Sequence, residues 1–116
     1  MLAALAQLEH FTPLAIAPET GPLTEALKAQ QIAHVPFSIH GDAGKKSRDE
    51  VGRQLAEIFK ERTPTLLHAN SLSLARLTGA LKETLSLPCT GHLRDILKLS
   101  KAAIADLNRN DGLIAV

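Results

Sequence analysis

A chain of 116 residues, 45% of them hydrophobic, suffices for one globular domain with a core and is too short for two. A formal net charge of +1 gives no electrostatic footprint for nucleic acid or an anionic membrane. With three Phe and neither Trp nor Tyr, it offers no platform for stacking bases. No apolar run approaches the ~20 residues of a membrane span. Residues 2–8 are apolar, but no basic segment precedes them and no cleavage site is evident, which argues against a secretory signal. The lone Cys89 has no internal disulfide partner and fits a reducing, cytosolic setting.

In chain order, the spacing of Leu2, Leu5 and Leu8 predicts a short helix over 2–10. A strand follows at 14–17, bracketed by Pro13 and Pro18. Glu19-Thr20-Gly21 turns into a helix that starts at Pro22, with Leu23, Ala26 and Leu27 as its apolar stripe. The next strand runs over 32–37 and contains His34. A polar, glycine-bearing loop covers 38–46. Ser47 and Glu50 then form a capping box, and Val51, Leu55, Ile58 and Phe59 recur at helical spacing until Thr63-Pro64. A third strand at 65–69 stops in Asn70-Ser71, either of which caps a helix with face Leu74, Leu77, Leu81 and Leu85. A fourth strand covers 87–91. Ser100 caps a helix through Asn108, with Leu99 and Ile104 as a hydrophobic staple. Asn110-Asp111-Gly112 turns the chain into an apolar run at 113–116, a strand that calls for a continuation.

Strands alternating with helices predict an α/β domain spanning 1–116, with a parallel sheet of about five strands and helices on both faces. In such a sheet ligands bind beyond the carboxyl ends of the strands. His68, Asn70 and Ser71 end one strand; His92, Arg94 and Asp95 end another. Glu19, Thr20 and Gly21 end the first. The amides of a helix start after Asn70 or Ser71 suit a phosphate or carboxylate, and a carboxylate at Glu19 suits sugar hydroxyls or a helix start. An imidazole at His92, reached closely because Gly91 precedes it, can hold a hydroxyl or a developing negative charge. Equally, Asp95 can simply pair with Arg94.

Two tempting motifs fail on spacing. The run from Gly41 to Ser47 lacks the Gly, four residues, Gly-Lys-Ser/Thr order of a phosphate loop, because Ile39 and Lys46 occupy the wrong positions. It reads as a solvated loop, with Lys45 and Lys46 able to attract an anion. The five histidines show no metal-ligand spacing, and Cys89 has no companion thiol, so no metal is expected. The one combination left open would need both His68 and His92.

The order of motifs resembles that of family 4 glycosyltransferases. Pro18-Glu19-Thr20-Gly21-Pro22-Leu23 resembles their "PEGGPL" turn, and His68-Ala69-Asn70-Ser71 their "HANS" strand end. Gly91-His92-Leu93-Arg94-Asp95 is similar to their "HVRD" segment, and the run from Asp111 to Val116 to their "IAVS" strand. The resemblance implies the N-terminal, acceptor-side Rossmann-like half of a GT-B enzyme, cut at both ends. Such enzymes move a sugar from a nucleotide-sugar donor to an acceptor hydroxyl with retention, usually without a metal.

By this resemblance His92 is the catalytic residue nearest the transferred sugar. Glu19, Gly21, His68, Asn70, Ser71, Arg94 and Asp95 line the substrate side. The partners implied are a sugar or glycolipid acceptor and a donor-binding domain that this chain does not contain. No cofactor is expected in the chain itself. A cytoplasmic enzyme peripheral to the inner membrane face is implied, with room for a homo-oligomer. The chain alone is expected to be inactive. The family's first strand and its glycine-rich loop would precede Met1. Without them the strands at 14–17 and 65–69 are expected to pair directly, giving order 2-1-3-4-5. The alternative is a flavodoxin-like or receiver-like module that binds a small molecule or anion without catalysis. That reading needs an acidic cluster or aromatics where this sequence has His, Asn and Ser.

Overall fold

The structure, a computed structural model, describes residues 11–94 and 98–115. The expected helix over 2–10 and the candidate Asp95 lie outside them. The chain divides into two compact units, Met1–Lys46 and Ser47–Val116. Both mix helices with parallel strands.

In the N-terminal unit, β1 (Leu14–Ala17) and β2 (Ala33–Pro36) pair in parallel, from Leu14 beside Ala33 to Ala17 beside Pro36. The crossover is α1 (Pro22–Ala29), with Pro22 in its first turn and Gly21, at φ 127°, as its N-cap. Ala15, Ala17, Leu27 and Ile32 form the core. The helix is rotated from the expected stripe. Leu23 is 58% exposed, whereas Thr24 is buried beside Leu27. Thr24 tolerates burial because its hydroxyl donates to Pro18 O at 2.6 Å. His34 is half-buried and donates from Nε2 to Ala17 O at 2.9 Å.

The polar stretch after β2 is more ordered than a solvated loop. β3 (His40–Gly41) and β4 (Gly44–Lys45) form a short antiparallel hairpin. Gly44 takes φ 101°, a backbone conformation that glycine adopts without strain. The ammonium of Lys46 sits 5.0 Å from the Phe37 ring centroid, a cation–π contact.

The C-terminal unit begins with α2 (Arg48–Arg62), whose N-cap Ser47 accepts from the Glu50 amide at 3.2 Å. It ends at Thr63, which takes φ 46° just before Pro64. After it come β5 (Leu67–Ala69), α3 (Leu72–Ala80), α4 (Lys82–Leu85), β6 (Cys89–Leu93), α5 (Lys101–Asn108) and β7 (Gly112–Ala115). The three strands are parallel in the order β5-β6-β7.

The expected single five-stranded sheet is therefore a correction. Among the described residues β1 and β5 share no ladder, so the parallel strands form a pair and a triplet. Neighbours within each piece are the expected ones. β5 is only three residues long and starts at Leu67, with Leu66 52% exposed. So short a strand offers few backbone groups for a second ladder.

Alternation along β5, β6 and β7 gives the triplet two faces. One carries Ala69, Cys89, Gly91 and Leu93 and packs under α3 and α5 around Ala69, Ala75 and Leu107. On α3 the inward residues are Ala75, Thr78 and Gly79, not the expected Leu74, which is 38% exposed. Small residues win because the backbones approach too closely for leucine. A Cβ on Gly91 would stand 2.6 Å from Ala75 Cβ, and one on Gly79 1.8 Å from Asp106 O. Leu81 and Leu85 are buried as expected, with Gly52 of α2 close to Leu81. Ser100 caps α5 by accepting from the Ala103 amide at 3.1 Å. The expected staple is looser: Leu99 packs on the core, while Ile104 stays 45% exposed.

Polar links hold the helices in register. Asp106 of α5 accepts from Arg48 of α2 at 2.9 Å and from Arg76 of α3 at 3.1 Å. Burial opposes its charge, but the two guanidinium groups outweigh it and hold the carboxyl below the usual carboxylate range. Asn110 donates from Nδ2 to Ala75 O at 2.9 Å and Leu107 O at 3.0 Å. Asp111 accepts from the Lys82 ammonium and, at 2.7 Å, from the Cys89 amide, fixing where β6 begins.

Candidate functional site

The site is built on the second face of the β5-β6-β7 triplet. His68 stands in register with Thr90, and Thr90 with Gly112. His92 lies two residues beyond Thr90 and therefore on the same face, beside Ile114. Register and alternation thus place two imidazoles from neighbouring strands together. Their ring centroids are 6.2 Å apart with planes at 52°. His68 Nδ1 lies 2.8 Å from Thr90 Oγ1. Nε2 of His68 and Nε2 of His92 are both buried and have no hydrogen-bond partner. Two orphaned buried nitrogens on one sheet face are unusual, since buried polar atoms nearly always find a partner.

The neighbouring residues sit at the carboxyl ends of these strands. In the β5–β6 ladder Asn70 and His92 follow the last paired residues, Ala69 and Gly91, while His92 stays paired with Ile114 of β7. Asn70 is exposed. Ser71 is the N-cap of α3 and accepts from the Leu74 amide at 3.2 Å, which leaves its O–H free to donate. Arg94 is exposed just past β6. Glu19 and Gly21 belong to the N-terminal unit, where both are exposed at the carboxyl end of β1. The structure thus brings His68 and His92 together with Thr90, and sets Asn70, Ser71 and Arg94 at the same strand ends.

Thr90, which orients His68, escaped the sequence reading. Its signal is alternation: in Cys89-Thr90-Gly91-His92, Thr90 and His92 must share a face. Asn110 and Asp111 read there only as turn residues, yet they lock β6 and β7 beneath the site.

Burial, and then the neighbouring His92, pushes the His68 pKa below its ordinary 6.5. The folded chain therefore holds this proton less tightly than the unfolded chain. The expected result is stability that falls as pH drops below about 6.5, where the unfolded imidazole takes up its proton. His68→Gln should flatten that slope in urea titrations between pH 7.5 and 5.5. Identical slopes for the two proteins would contradict the burial argument.

Among the described residues no group of three or more His, Cys, Asp or Glu is arranged to hold a metal ion, and no helix is long and apolar enough to cross a membrane. Comparison with family models, curated proteins and solved structures gives no match to the chain.

Proposed function

We propose that the chain is the acceptor-binding half of a retaining, GT-B-type glycosyltransferase, with His92 facing the sugar that is transferred. The observation that carries this reading is the His68–His92 pair at the carboxyl end of two parallel strands, each with a buried nitrogen that lacks a partner. A half-buried imidazole is suited to hold a sugar hydroxyl or the charge that develops on the leaving diphosphate. The motif order along the chain supports the same reading.

His68, Asn70 and Ser71 would line the acceptor side, Arg94 and Asp95 would shape the sugar pocket, and Glu19 and Gly21 would meet acceptor hydroxyls. The nucleotide-sugar binds mainly to a second domain, so the chain alone transfers nothing.

The test is a transfer assay with nucleotide-sugars and glycoside acceptors. The purified chain is expected to be silent. The two-domain protein encoded by the reading frame that carries it is expected to be active. A stop codon directly after Val116, or transfer by the chain alone, would overturn the assignment.

A further inference from the structure

Beyond sugar recognition, we propose that His68 and His92 form a two-imidazole chelate for a late first-row divalent cation such as Zn2+, Co2+ or Ni2+. Both Nε2 atoms are buried and unpartnered. When His68 donates from Nδ1 to Thr90 Oγ1, 2.8 Å away, its Nε2 carries the lone pair. That is the arrangement found at metal-bound histidines, where an oxygen fixes the tautomer and ring orientation.

The spacing agrees. Metal–nitrogen bonds of ~2.0–2.1 Å to both Nε2 atoms set the two ring centroids roughly 5–6 Å apart. The observed 6.2 Å lies just above that range, so the rings must draw closer for both Nε2 atoms to reach one ion. Neutral imidazole favours zinc, cobalt, nickel and copper over calcium or magnesium. With only two protein ligands, affinity stays well below that of a closed structural zinc site. An ion so placed and a sugar on His92 exclude each other.

The experiment is titration of the folded 116-residue chain with Zn2+ by calorimetry and with Co2+ by visible absorption at pH 7.5. One ion per chain is expected. His68→Gln and His92→Gln should each weaken binding at least ~10-fold, and Thr90→Val about as much by freeing the His68 ring. His40→Gln, at an exposed histidine of the other unit, should leave it unchanged. Because a variant can lose its fold, circular dichroism accompanies each. Imidazole proton shifts of the unaltered chain supply a second readout: Zn2+ should move the His68 and His92 signals together. Absence of binding, binding that survives both substitutions in folded protein, or shifts at other histidines would overturn the proposal. The glycosyltransferase reading does not depend on the outcome, since sugar binding is measured without metal.

Discussion

Gly79→Ala is expected to destabilise the C-terminal unit sharply. The added methyl would lie 1.8 Å from Asp106 O and 2.8 Å from Asp106 C, both backbone atoms that cannot swing aside. Relief requires α3 and α5 to move apart. That would strain the Arg76–Asp106 ion pair and the bond Asn110 makes to Ala75 O. Overpacking of this kind costs about 3 kcal/mol or more, and alanine's better helix propensity returns at most about 1 kcal/mol. Against a total stability of about 5 kcal/mol, a net loss of about 2 kcal/mol or more should lower the urea midpoint by at least about a third. Gly52→Ala is the control. Its methyl would meet the tip of Leu81 at 3.1 Å, a side chain able to yield, so stability should change little or rise. Urea unfolding followed by circular dichroism separates the two. Equal midpoints for Gly79→Ala and the parent would show that the helices do not cross as closely as described.

His92→Ala should lower transfer by roughly 10²–10³-fold in the two-domain enzyme that the proposed function implies, as loss of a group that stabilises transition-state charge does. Folding should be spared. His92 lies on the sheet face opposite Ala75 and Leu107, and its Nε2 makes no hydrogen bond whose loss would weaken the fold. A similar loss in kcat and in kcat/KM would place His92 at the transition state rather than in ground-state binding. Gly91→Ala is a useful companion. A methyl 2.6 Å from Ala75 Cβ should shift β6 and displace His92, lowering both stability and turnover. Unchanged turnover in folded His92→Ala would remove the residue from the mechanism.

Much of the local structure is legible in the sequence. Ser47, Ser71 and Ser100 cap helices where their hydroxyls precede apolar periodicity, and β1 falls on 14–17 between its two prolines. The inward face of α3 was not legible. Leucine at 74 invites burial, but the close passage of β6 and α5 admits only Ala75, Thr78 and Gly79. Periodicity reports which residues are apolar and is silent on how near a neighbouring backbone comes. Thr24 misled for a related reason, since only a structure shows the Pro18 carbonyl that satisfies it.

The site was half legible. His68 and His92 stand out as polar residues at strand ends. Their pairing needs the register of β5 against β6, which sets His68 beside Thr90 and which no local signal in either segment specifies. The division of the parallel strands into a pair and a triplet was not legible either. Strand count and alternation do not specify which edges meet when one strand is three residues long.

The central claim, that the strand ends carrying His68 and His92 recognise a sugar, is tested most directly by nuclear magnetic resonance. The isotope-labelled chain, free of metal, is titrated with methyl glycosides of glucose, galactose and mannose. The account predicts that at least one of them shifts the amide and imidazole signals of His68, Asn70, Ser71, His92 and Arg94 in a saturable way, and that His92→Ala weakens the effect. Shifts confined to other residues, or no saturable shift with any glycoside in a folded chain, would contradict it.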